Sequence, residues 1–248
     1  MNNKPFELWL IWQNTETRQR YHVGTLTYSS AGYKFYYENT AERRKLQEAM
    51  KNGYQPHLAF PDLDKIYFSA KLFGPFARRL PDPRRPDYKK VLQKLGLTAK
   101  CTDMDVLLAS GGILATDDYE FVAPIQMDEN NFYFDFHVAG WRHYIDEDVI
   151  QQLAFEEEIY FVLEPENEED EKAVIVETSY GIKLGYIPAF YSGWLFEEIR
   201  HGTNYHAEIE AVHLTADPHR KILIRVEGER IPGSASQSNS QLSPVAHV

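Results

Sequence analysis

The chain has 248 residues, 43% of them hydrophobic and 14% aromatic, which is enough apolar material for two small folded units and too much for a disordered chain. Its net charge of −11 is unevenly placed: residues 1–125 carry 18 Lys/Arg against 14 Asp/Glu, and residues 126–248 carry 8 against 23. That balance excludes a broad, salt-driven grip on duplex DNA by the second half, and the single Cys101 excludes an internal disulfide framework.

In chain order, Leu8–Trp12, Tyr21–Leu26 and Tyr33–Tyr37 have the spacing of a three-strand meander. Thr40 is expected to cap a helix running to about Met50, and Asn52-Gly53 to end it. Lys65–Phe68 reads as a short strand. The prolines between Pro75 and Pro86 break regular structure. A helix is expected from Asp87 to Leu95, stopped by Gly96. Thr102 is the expected N-cap of a second, Asp103 to Ser110, closed by Gly111-Gly112. Glu120–Val122 closes the first unit, and Pro124 through Asn130 reads as a linker.

The second unit opens with Phe132, Phe134, Phe136 and Val138 on one face and Tyr133, Asp135 and His137 on the other, the period of a half-buried strand. Ile159–Leu163, Ala173–Val176, Ile182–Ile187, Tyr205–Leu214 and Ile222–Glu227 are further strands, with a helix from Gly193 to Arg200. Together they predict an α+β protein. A small N-terminal sheet with helices occupies residues 1–125, and a six-stranded, barrel-like module with one or two short helices occupies residues 126–230. Residues 231–248, rich in Ser, Gln and Asn, are expected to be a disordered tail.

Three stretches of the second unit carry a resemblance: Phe136-His-Val-Ala-Gly-Trp-Arg-His-Tyr144, Leu163-Glu-Pro-Glu-Asn-Glu-Glu-Asp-Glu-Lys-Ala-Val-Ile-Val176, and Tyr180-Gly-Ile-Lys-Leu-Gly-Tyr-Ile-Pro188. In order and spacing they resemble the HIRAN domain, a β-rich module whose DNA-binding members hold a free 3′ end of single-stranded DNA. The resemblance implies a binding site of Arg142, His143, Tyr144, Asn167 and Asp170. Arg142 suits a phosphate, Tyr144 offers a stacking face, Asn167 can bond a base edge or sugar, and Asp170 can accept from a 3′ hydroxyl. His143 and Glu169 stand where the DNA-binding form has tyrosine.

The first unit resembles, more loosely, the amino-terminal subdomain of HipA-type toxin kinases, through Gly24-Thr25-Leu26, the Tyr33–Tyr37 strand, the Lys71–Pro83 run and Leu107–Gly112. No kinase core accompanies it: there is no catalytic loop, phosphate loop or metal site of that kind. The resemblance implies a regulatory, antitoxin-like partner that meets a HipA-like kinase in trans. The basic run Arg78-Arg79, Arg84-Arg85, Lys89-Lys90 is a candidate contact for nucleic acid or an acidic partner.

No zinc, hydrolase or phosphate-loop motif is present, so the expectation is a non-enzymatic binding protein without cofactor or metal. No apolar run reaches the length of a spanning helix and no signal-peptide pattern opens the chain, so a cytoplasmic location without membrane contact is expected.

Overall fold

A computed structural model describes residues 6–214, 216 and 218–231. The predicted tail falls, from residue 232 on, outside the described residues. The chain divides into two compact units, one of residues up to 124 with 188–190, the other of residues 125–187 and from 191 on.

In the first unit, β1 (Phe6–Gln13), β2 (Arg20–Ser29) and β3 (Gly32–Tyr37) form the meander; α1 (Leu46–Lys51), β4 (Tyr67–Ser69), α2 (Gly74–Ala77), α3 (Tyr88–Lys94), α4 (Asp103–Ser110) and β5 (Tyr119–Val122) follow. The sheet is antiparallel in the order β4-β3-β2-β1-β5. Its alternation delivers Leu8, Leu10, Leu26 and Phe35 to one core with Leu46, Met104 and Leu107, and the bulge of β2 opposite Leu10 and Ile11 brings Val23 to the same core. The α4 cap is the one expected. The Thr102 hydroxyl accepts from the Asp105 amide, and the Asp105 carboxylate accepts from the Thr102 amide at 2.7 Å.

The helix expected from Thr40 begins only at Leu46. Where β3 leaves the edge of β2, the backbone of Arg44 and Lys45 takes its place, with the His22 amide donating to the Arg44 carbonyl at 2.8 Å. An extended segment serving that edge cannot also be helical. Three of the six residues of the basic run are paired, one of them in the interior. Arg79 is buried, with its guanidinium donating to the Gly112 carbonyl (2.7 Å) and to Asp117 (2.5 Å). Arg84 pairs with Asp82 at 3.0 Å and Arg85 with Asp87 at 2.9 Å.

The second unit begins with β6 (Gln126–Asp128) and β7 (Asn131–His137). β6 lies where a linker was expected: it pairs with β7 through a two-residue turn in which Glu129 adopts a φ of 52°. Then come α5 (Glu147–Gln152), β8 (Ile159–Glu164), β9 (Ala173–Thr178), β10 (Lys183–Tyr186), α6 (Ala189–Arg200), β11 (Asn204–Val212) and β12 (Ile222–Glu229). The α6 helix starts four residues before the expected Gly193, and α5 was not foreseen; the Asp146 side chain caps it by accepting from the Val149 amide at 3.0 Å.

The expected six-stranded barrel is not what forms. Seven strands make two antiparallel sheets, β11-β12-β7-β6 and β10-β9-β8. Among the described residues, the sheets pair with one another at single bridges, Ala139 with Tyr186 and Glu158 with Glu208. The first bridge cannot lengthen into a ladder. Gly140, in the left-handed region at φ 70°, turns the chain away after Ala139, and Pro188 ends the partner strand. Between the sheets, Phe136 meets Phe161 (6.2 Å between centroids) and Phe161 meets Tyr205 (5.0 Å). The later part of α6 covers β7, with Tyr191 against Phe134 and Trp194 against Phe132.

Candidate nucleic-acid interface

After β7 the chain makes the Ala139–Tyr186 bridge, whose two amide–carbonyl bonds measure 2.8 and 2.9 Å. Gly185 permits this approach. A Cβ there would stand 2.4 Å from the Ala139 carbonyl oxygen, and its φ of 147° is open to glycine alone. Gly140 then starts a 3-10 turn, Trp141–His143. Trp141 is buried and anchors the turn, while Arg142, His143 and Tyr144 are exposed. Arg142 makes no ion pair or side-chain hydrogen bond among the described residues. A guanidinium with all its donors free, in a unit of strong net negative charge, is poised for an anion.

Tyr144 sits edge-on to Tyr186, with ring centroids 5.7 Å apart. Tyr186 is the hub of a small network. Its hydroxyl donates to Glu164 Oε2 at 2.7 Å and receives from Lys183 Nζ at 2.8 Å and from Asn167 Nδ2 at 3.2 Å. Asn167 Nδ2 also donates to Glu164 Oε2 at 2.6 Å. The Tyr186 and Asn167 hydrogen bonds, with Lys183 nearby, hold the Glu164 carboxyl below the usual glutamate range. Burial first, then the Glu164 bond and Tyr144, push the Tyr186 phenol upward, so it stays a donor at any ordinary pH.

Asn167 Oδ1 accepts from the amides of Glu169 and Asp170, both at 3.0 Å, and Asp170 Oδ1 accepts from the Lys172 amide at 2.8 Å. Both residues therefore shape the turn between β8 and β9, as Asn and Asp do through their own backbone. Glu166, Glu168, Glu169 and Glu171 project from that turn into solvent.

Of the residues predicted from sequence, the structure joins Tyr144 and Asn167 through Tyr186 and puts Arg142 and His143 on the turn that carries Tyr144. Asp170 lies on the turn organised by Asn167. Sequence reasoning missed Glu164, Lys183 and the hub role of Tyr186. Lys183 was concealed by a bulge. β10 spends two residues, between Lys183 and Gly185, where β9 spends one, so Lys183 and Tyr186 share a face that plain alternation would deny them.

Residues 131–229, which lie in the second unit, match the family model of the HIRAN domain. Two solved structures resemble the chain. The crystal structure of the HIRAN domain of human HLTF is 14% identical, covers 41% of this chain and 78% of that one, and superposes with a TM-score of 0.35. The crystal structure of a protein from Lactobacillus plantarum is 16% identical, with 41% and 99% covered and a TM-score of 0.35. No curated protein matches the chain. Among the described residues, no helix is long and apolar enough to cross a membrane.

Proposed function

We propose that the HIRAN domain of this chain is a non-enzymatic module that binds the 3′ end of single-stranded DNA. The observation that supports it most is the Trp141–Tyr144 turn. An unpaired, exposed Arg142 stands two residues from a half-exposed Tyr144, on backbone fixed by the Gly185 approach and beside the Tyr186–Glu164–Asn167 network. The phosphate of a terminal nucleotide would meet Arg142 and its base would stack on Tyr144, a contact worth about 1–3 kcal/mol in single-strand binders. The acidic turn that carries Asp170 would accept a hydrogen bond from a free 3′ hydroxyl and repel a second terminal anion. This division of labour needs no sequence reading and no wide basic surface, in keeping with the charge of the unit.

The other reading, a regulatory partner of a HipA-like kinase docked through residues 7–123, rests on sequence motifs alone.

Fluorescence anisotropy with a linear single-stranded oligonucleotide and a closed circle of the same sequence tests the proposal. The linear strand should bind and the circle should not. Arg142→Ala should weaken the linear strand about tenfold, the loss of one charge-assisted contact of about 1.5 kcal/mol. Equal binding of line and circle refutes recognition of an end.

A further inference from the structure

We propose that Lys183 is a further nucleic-acid-contacting residue of this domain, supplying the cation that meets the phosphodiester of a nucleotide stacked on Tyr144. This rests on the DNA-end reading above and deepens it.

The ammonium of Lys183 lies 4.3 Å from the ring centroid of Tyr144 and 4.2 Å from that of Tyr186. The bulge in β10 aims it there. The ammonium is thus held by two aromatic faces and one hydrogen bond, to the Tyr186 hydroxyl at 2.8 Å. The nearest carboxylate oxygen, Glu164 Oε1, stands 4.0 Å away, beyond hydrogen-bond range. Glu164 Oε2 is already taken by Tyr186 and Asn167. An ammonium has three protons to give, and among the described residues only one finds a hydrogen-bond acceptor.

A lysine whose role was only to neutralise Glu164 would sit on it at about 2.8 Å. This one is held back from the carboxylate and over the Tyr144 ring, with its side chain one-quarter exposed. The ammonium takes one face of Tyr144, which is 43% exposed, and a base would stack on the other. The phosphate of a stacked nucleotide lies one sugar away from that base, within reach of the two free N–H groups. Arg142 and Lys183 would then flank the aromatic ring with two cations, supplying locally the positive charge that the unit lacks globally.

The test uses the full chain and a 5′-labelled single strand with a free 3′ hydroxyl, followed by anisotropy between about 50 and 200 mM potassium chloride, a span over which each phosphate contact on a single strand changes affinity about threefold. Lys183→Gln should lower the slope of log affinity against log salt by about 0.7, the share of one phosphate on a single strand. Affinity at the lowest salt should fall by up to about fivefold, and Lys183→Arg should keep the wild-type slope. Methylphosphonate linkages in the last two nucleotides should cost the wild type about 1.4 of slope, the shares of Arg142 and Lys183, and cost Lys183→Gln only the share of about 0.7 that belongs to Arg142, a comparison that does not depend on the variant alone. A wild-type slope in Lys183→Gln overturns the proposal, and so does weaker binding at unchanged slope, which would make Lys183 a support for Tyr144 only. A wild-type chain that binds no single strand overturns the DNA-end reading, and the role of Lys183 with it.

Discussion

Replacing Gly185 by alanine should disassemble the candidate site from a distance. The added Cβ would stand 2.4 Å from the Ala139 carbonyl oxygen and 2.8 Å from Val138 Cγ1, and the residue holds a φ of 147°. Neither neighbour is the free end of a flexible chain, so the bridge must open. Its two backbone hydrogen bonds contribute about 1 kcal/mol each, and the backbone strain adds about 1–3 kcal/mol, for a total of about 3–5 kcal/mol. Urea unfolding of the full chain, read by hydrogen exchange of peptides spanning 133–145 and 183–190, isolates the second unit. With a urea dependence of roughly 1.5 kcal/mol per molar, its midpoint should drop by about 2 M or more. Gly181→Ala is the internal control: its φ is 76° but nothing lies within 4 Å of the new Cβ. It should cost only about 1 kcal/mol, the ordinary price of a left-handed non-glycine residue. If the two variants unfold within about 0.5 M of each other, the Ala139–Tyr186 approach is not what positions the Arg142 turn.

Two smaller predictions follow from other contacts. Thr102→Ala removes the side-chain arm of the α4 capping box, leaving the Thr102 amide to donate to Asp105, and should destabilise the first unit by about 1 kcal/mol in urea, whereas Thr102→Ser should cost little. The Glu164 carboxyl is held below its ordinary value chiefly by Tyr186, so it contributes stability that is full above that value and lost as pH falls through the lower folded one. Tyr186→Phe should raise the Glu164 midpoint in a carboxyl NMR titration and shrink that acid-side loss; an unmoved midpoint would refute the hydrogen-bond assignment.

What could be read in the sequence was whatever local chemistry decides. The period-two run from Phe132 to Val138 announces β7 and its buried face, and the Thr102–Asp105 pair announces α4 to the residue. What could not be read depends on partners far along the chain. The helix before Met50 starts late because Arg44 and Lys45 are recruited by the edge of β2. The Gln126–Asp128 strand has no pattern of its own and exists because β7 offers it an edge. The barrel fails to close because Gly140 and Pro188 stop the pairing at one bridge, and neither residue declares that role in sequence. In the candidate site, Arg142, His143, Tyr144, Asn167 and Asp170 were proposed from the motif, which did not say that Asn167 spends its amide on a turn and on Glu164. Lys183 was invisible because its direction is set by a bulge, which only the register with β9 reveals.

The claim that the second unit recognises a DNA terminus meets its most direct test in paired anisotropy titrations of the full chain with two single strands, identical except that one ends in a 3′ hydroxyl and the other in a 3′ phosphate. The account predicts that the hydroxyl strand binds at least about tenfold more tightly, because the phosphate would bring its charge against Asp170 and the glutamates of the same turn. Equal affinity for the two ends, or no affinity for either, would contradict it.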